Sequence, residues 1–86
     1  MFYVYILQSL KDKKTYVGYT NNLNSRLKRH NSGQVKSTKH RKPLETLFTE
    51  NFETEQGAKK RELWWKSGAG RRKLKNYFKD KKQDLF

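Results

Sequence analysis

Eighty-six residues make one domain, and a chain this short buries only roughly 60% of the surface that its unfolded form exposes. It has no cysteine, which excludes disulfide staples and thiolate zinc ligands, and no apolar run approaches the roughly 20 residues of a membrane span. Twenty-one Lys and Arg against eight Asp and Glu leave a charge of +13, which points to polyanionic partners through counterion release and leaves the activity open.

The apolar fraction is 33%, but 14% of the residues are aromatic, which argues against disorder and for a core of Phe, Tyr and Trp. Residues 2–7 are aromatic or aliphatic and free of turn formers, as suits a buried strand. A polar turn at 9–14 and a second strand at 15–19 complete a β-hairpin over 2–19. Gly18, inside that second strand, marks a bulge or a place where another group comes close. Thr20, Asn21 and Asn22 are the candidate caps of a helix at about 21–31, where Leu23, Leu27 and His30 recur at helical spacing. Arg26 and His30 stand four apart and so project from one face. Residues 34–43 are polar and basic and read as a loop or mobile arm, and residues 44–52 alternate as a third strand around Leu47 and Phe48. Thr54 caps a helix at 54–67, with Ala58, Arg61 or Glu62, and Trp65 as its buried positions. The run 67–70, Ser-Gly-Ala-Gly, breaks that helix. A last basic helix at 71–80 turns Leu74, Tyr77 and Phe78 inward, and the tail at 83–86 is expected to fray. The expectation is one α+β domain over 1–86, a three-stranded sheet flanked by three helices. Met1 opens directly onto a strand, so the chain reads as a cytoplasmic protein without a membrane partner.

The hairpin carries the most specific signal. Tyr3-Val4-Tyr5, with eleven residues from Tyr5 to Tyr16 and then Tyr16-Val17-Gly18, resembles the paired motifs that name the GIY-YIG nuclease superfamily. A helix with Arg26, a third strand and a helix with Glu62 follow in the same order. The stretches at 16–20, 26–33 and 60–68 resemble the small stand-alone branch related to the nuclease domain of the bacterial excision-repair protein UvrC. The likeness covers residues 2 to about 78, and four weak motifs in the right order make it specific. Two departures stand out. Tyr3 occupies the place of the family's first glycine, and the asparagine that many members carry near the last helix has only Asn76 as a loose counterpart.

The resemblance implies a divalent-metal-dependent endonuclease, with Mg²⁺ or Mn²⁺, that hydrolyses the phosphodiesters of nucleic acid. DNA is the first candidate substrate and repair or recombination the setting, with a protein partner or homodimer for targeting. It implies Glu62 as the metal ligand, and Glu62 is the one acidic residue in 59–72, a lone carboxylate of the kind a hydrated Mg²⁺ can use. A salt bridge to Lys59 or Lys66 is the plainer role for the same side chain. Arg26 offers a planar, permanently charged fork for phosphate oxygens. Tyr5 and Tyr16 bring hydroxyls from neighbouring strands. At its reference pKa of about 10 a tyrosine is a poor base and needs cationic help. The resemblance puts Tyr16 near the metal-bound water, where it could relay or accept the proton, and leaves Tyr5 to orient water or phosphate. His30 is a candidate proton acceptor or phosphate ligand, or a capping or packed histidine. Lys36, Lys39, Arg41 and Lys42, with Arg71, Arg72 and Lys73, read as contacts to the nucleic acid backbone, which position a substrate without reading its sequence. Trp64 and Trp65 are adjacent, so one is buried and the other is free to stack on a base or a partner. A nucleic-acid-binding module that keeps the fold with weak or absent catalysis is the competing reading.

Overall fold

A strand that is apolar on both faces needs cover on both, and that demand organises the molecule. The computed structural model of the chain describes residues 1–83. Its elements are β1 (Phe2–Ser9), β2 (Thr15–Thr20), α1 (Leu23–Asn31), β3 (Leu44–Phe52), α2 (Glu55–Lys66) and α3 (Gly68–Gln83). The strands form one antiparallel sheet in the order β2-β1-β3, so β1 is central and β2 stands at an edge. Val4 and Ile6 point to one side and pack with Ala58, Trp65 and Leu74 of α2 and α3. Tyr5 and Leu7 point to the other and pack with Leu44, Tyr16 and the α1 leucines Leu23 and Leu27. The period of two along β1 thereby builds two cores on one strand.

The local chemistry of the sequence explains most element boundaries. The Asn22 side chain accepts the Ser25 amide and caps α1, and Thr54 accepts the Gly57 amide and caps α2. In the hairpin turn the Ser9 hydroxyl accepts the Lys11 and Asp12 amides, Asp12 accepts the Lys14 amide, and Lys13 adopts φ 64°.

Two expectations change. The α2 helix ends at extended Ser67, and α3 starts at Gly68 instead of 71, so the glycine-rich run is largely helix. Gly70 has a packing reason: a Cβ there would collide with the backbone of Trp64 and Trp65, so the glycine lets two helices turn sharply on each other. The 34–43 loop is also tied down. Thr38 is fully buried, the Ser9 hydroxyl donates to the Arg41 carbonyl, and the Asn31 side chain bonds both the amide and the carbonyl of Leu44. Of the tail expected to fray at 83–86, Gln83 is the last residue of α3, and 84–86 lie outside the described residues.

Candidate active site

The edge position of β2 creates the site. An open cleft of about 630 Å³ runs along it, lined by β2 from Thr15 to Tyr19, by Arg26 and His30 of α1, and by Glu62, Lys66 and Arg71 of α2 and α3. Tyr5 enters this cleft from β1. The antiparallel register sets Tyr5 opposite Gly18 and Leu7 opposite Tyr16, so the two site tyrosines are diagonal neighbours on one face. A Cβ at Gly18 would lie 2.5 Å from Cζ of Tyr5. The glycine is the space in which the Tyr5 ring lies.

Tyr5 and His30 are joined. The Tyr5 hydroxyl lies 3.2 Å from His30 Nε2, and His30 Nδ1 lies 2.9 Å from the Thr38 hydroxyl. Burial raises the pKa of Tyr5, while the nearby Arg26 guanidinium pulls it down and the Glu62 carboxylate pushes it up. Burial also depresses the pKa of His30, and the charges of Arg26 and Arg29 add to this. At neutral pH the pair is therefore a phenol against a neutral imidazole.

Among the described residues, the Tyr16 hydroxyl and Arg26 Nε are buried polar atoms without a hydrogen-bond partner. Such atoms are costly in a folded protein, and two in one cleft mark a place for something polar. The Glu62 carboxylate is 16% exposed and meets Lys66 Nζ at 3.3 Å; Lys66 itself is 53% exposed, so this is a weak, screened pair. No group of three or more His, Asp or Glu side chains suited to a metal is found among the described residues. The donor set still fits Mg²⁺ or Mn²⁺ bound in the manner usual for Mg²⁺, by one carboxylate, several waters and a substrate phosphate.

The remaining expected contacts separate. Arg71 lines the cleft, whereas Arg72 and Asn76 line a different surface depression and Lys73 lies over the rings of Trp64 and Trp65. Lys36, Lys39 and Lys42 are exposed on the 34–43 loop, whose Val35, Ser37 and Thr38 are the residues that reach the cleft. Arg41 is held by Asp12 at 2.9 Å, beside the hairpin turn. Trp65 is buried and Trp64 half-buried. Thr38 had no distinguishing mark in the sequence: it is one threonine in a polar loop. The basic turn residues Lys13 and Lys14 were legible as charge alone. With Lys75, Arg71 and Phe78 they line a second groove that shares Thr15, Arg71 and Leu74 with the cleft.

No helix among the described residues is long and apolar enough to cross a membrane. The family model for the GIY-YIG catalytic domain matches residues 1–82. The UPF0213 protein YazA of Bacillus subtilis is 41% identical over 73 residues, covering 84% of this chain and 73% of that protein. The UPF0213 protein CPE1444 of Clostridium perfringens is 43% identical over 75 residues, covering 86% and 80%. Among solved structures, the solution NMR structure of the UPF0213 protein BH0048 from Bacillus halodurans matches with a TM-score of 0.53 and 34% identity, over 90% of this chain and 85% of that one. By motif order, by sheet and helix arrangement and by these likenesses, the chain belongs to the GIY-YIG family of nuclease domains.

Proposed function

We propose that the protein is a divalent-metal-dependent endonuclease that hydrolyses phosphodiesters, with DNA as its first candidate substrate. The observation that carries this reading is the convergence of Tyr5, Tyr16, Arg26, His30 and Glu62 on one cleft that holds two unpartnered polar atoms. Mg²⁺ or Mn²⁺ held by Glu62 would neutralise charge on the scissile phosphate and acidify a water. Arg26 engages the non-bridging oxygens with its fork, and the free hydroxyl of Tyr16 orients the attacking water. Tyr5 takes the water's proton as it gives its own to His30 Nε2, 3.2 Å away. The leaving sugar oxygen takes a proton from solvent.

The flanking backbone follows the basic groove of Lys13, Lys14, Arg71 and Lys75, where the half-buried Phe78 offers a ring face. The exposed lysines 36, 39 and 42 act at longer range, through charge. A cytoplasmic role in DNA repair or recombination suits so basic a nuclease domain.

Glu62→Gln tests the assignment. Nicking of branched, flapped or single-stranded DNA with Mg²⁺ or Mn²⁺ is expected to fall at least about a hundredfold, while salt-sensitive binding survives. A variant that cuts as well as the wild type removes Glu62 from the chemistry. One observation favours the second reading, a binding module with weak turnover: Asn76 lies apart from the cleft. A wild type that binds but cuts none of these substrates, RNA included, selects it.

A further inference from the structure

A neutral histidine has one ring nitrogen to donate and one to accept, and its partners decide which is which. His30 is 5% exposed and touches two hydroxyls, Tyr5 at Nε2 and Thr38 at Nδ1, so each tautomer must be tested against the groups behind those hydroxyls. Beside Tyr5 stands the Arg26 guanidinium, which has only donors and so offers the phenolic proton no acceptor. If His30 donated from Nε2, the proton of the buried phenol would have no acceptor among the described residues, because His30 is the hydrogen-bond partner of the Tyr5 hydroxyl. Behind Thr38 stands the carbonyl of Val35, 3.5 Å from the Thr38 oxygen, a long bond but one with the right polarity for the hydroxyl proton. Only one direction gives every proton an acceptor. Tyr5 donates to His30 Nε2, His30 Nδ1 to Thr38, and Thr38 to the Val35 carbonyl.

We infer that Thr38 is a positioning residue that holds His30 in the Nδ1–H tautomer, leaving Nε2 as a lone pair aimed at the Tyr5 hydroxyl. The inference rests on reading Tyr5 and His30 as the proton-accepting pair, and it adds what makes that pair directional. Thr38 is fully buried, eight residues after His30 on a loop anchored by Ser9 and Asn31, so its hydroxyl is held in place. As the phenol proton moves to Nε2, the imidazolium keeps its Nδ1–H on Thr38, and the proton taken from water restores the phenol. Charge and protons balance without another group.

The test reads the tautomer directly, by long-range ¹H–¹⁵N correlation of the His30 ring at neutral pH in the intact protein. The wild type is expected to carry its proton on Nδ1; a proton on Nε2 overturns the inference. Thr38→Val keeps the volume and removes the acceptor, and should mix the tautomers and lower cleavage on the order of tenfold with substrate affinity unchanged. Thr38→Ser should restore both signals. A Thr38→Val protein that keeps the pure Nδ1–H form also overturns the inference, and if that variant does not fold, the wild-type and Thr38→Ser spectra decide. Because the ring signals need no turnover, a protein that cuts nothing refutes the nuclease reading while leaving the tautomer measurable.

Discussion

Arg61 and Glu62 are neighbours on α2 and live in opposite circumstances. Arg61 grips Glu50 through Nε at 2.9 Å and an Nη at 3.0 Å, and lies 4.3 Å above the Trp64 ring. Glu50 also accepts the Trp65 indole N–H at 2.7 Å. Donors and acceptors there are matched, as in a bidentate arginine–carboxylate pair built for strength. One residue on, Glu62 has a solvent-exposed lysine for company and faces a cleft whose Tyr16 hydroxyl and Arg26 Nε are unpartnered. The difference separates polarity satisfied within the fold from polarity left open to the cleft. A satisfied network holds β3 to α2, whereas unsatisfied groups wait for a ligand to complete them.

Three perturbations sharpen that contrast, beginning with the site. Gly18→Ala sets a methyl group into the Tyr5 ring, so Tyr5 must move away from His30. Displacement of that size is expected to cost about a hundredfold in cleavage. Measured nicking within a few-fold of the wild type would mean that the Tyr5 position does not matter.

On the satisfied side the cost should appear as stability. Glu50→Ala leaves the Arg61 fork and the Trp65 N–H without their acceptor, for a loss of about 2 kcal/mol and a fall of roughly 10 °C in Tm. Cleavage well below Tm should be retained; an unchanged melting curve would show that the pair contributes nothing. The same carboxylate sets an acid limit. Burial works to raise the Glu50 pKa, but hydrogen bonds from Arg61 and Trp65 and the charges of Arg61 and Lys73 outweigh it and hold it low. A folded pKa below the unfolded one gives stability that is present above the ordinary carboxylate range and is lost as pH falls through the lowered value. Denaturant titrations at a series of acid pH values should show this limb in the wild type and a flatter one in Glu50→Ala.

The smallest effects belong to the groove. Lys13→Ala, Lys14→Ala and Lys75→Ala should each weaken DNA binding a few-fold and reduce the salt slope by about one, whatever the sequence bound. Arg41→Ala should change the slope less, because its guanidinium is engaged with Asp12. Equal slopes for all four variants would argue that the groove is no preferred path.

Much of this was legible in the chain before any coordinate. The unbroken apolar run at residues 2–7 and the asparagine and threonine caps are local signals, and the elements they announce stand where expected, within a few residues. Arg26 and His30 share a helix face because 3.6 residues make a turn, and they meet in the cleft for that reason. A glycine inside the strand at Gly18 signals a bulge or a close approach, and the Tyr5 ring is what approaches. The charge of +13 pointed to polyanions without locating them.

Tertiary structure decided the rest. Nothing near Thr38 in sequence says that it closes on His30, since that contact depends on how a polar loop folds back between α1 and β3. Arg41, Arg72 and Lys73 carry the same charge as Arg26, Lys66 and Arg71, which do reach the cleft, and only the direction of each side chain from its element separates them. Gly70 read as a helix breaker because glycine is a poor helix former; close packing against the end of α2 overrode that preference. Periodicity and capping act over a handful of residues and can be read from them. Which atoms remain unpartnered is fixed by contacts between distant segments, and among the described residues those atoms, on Tyr16 and Arg26, mark the proposed site.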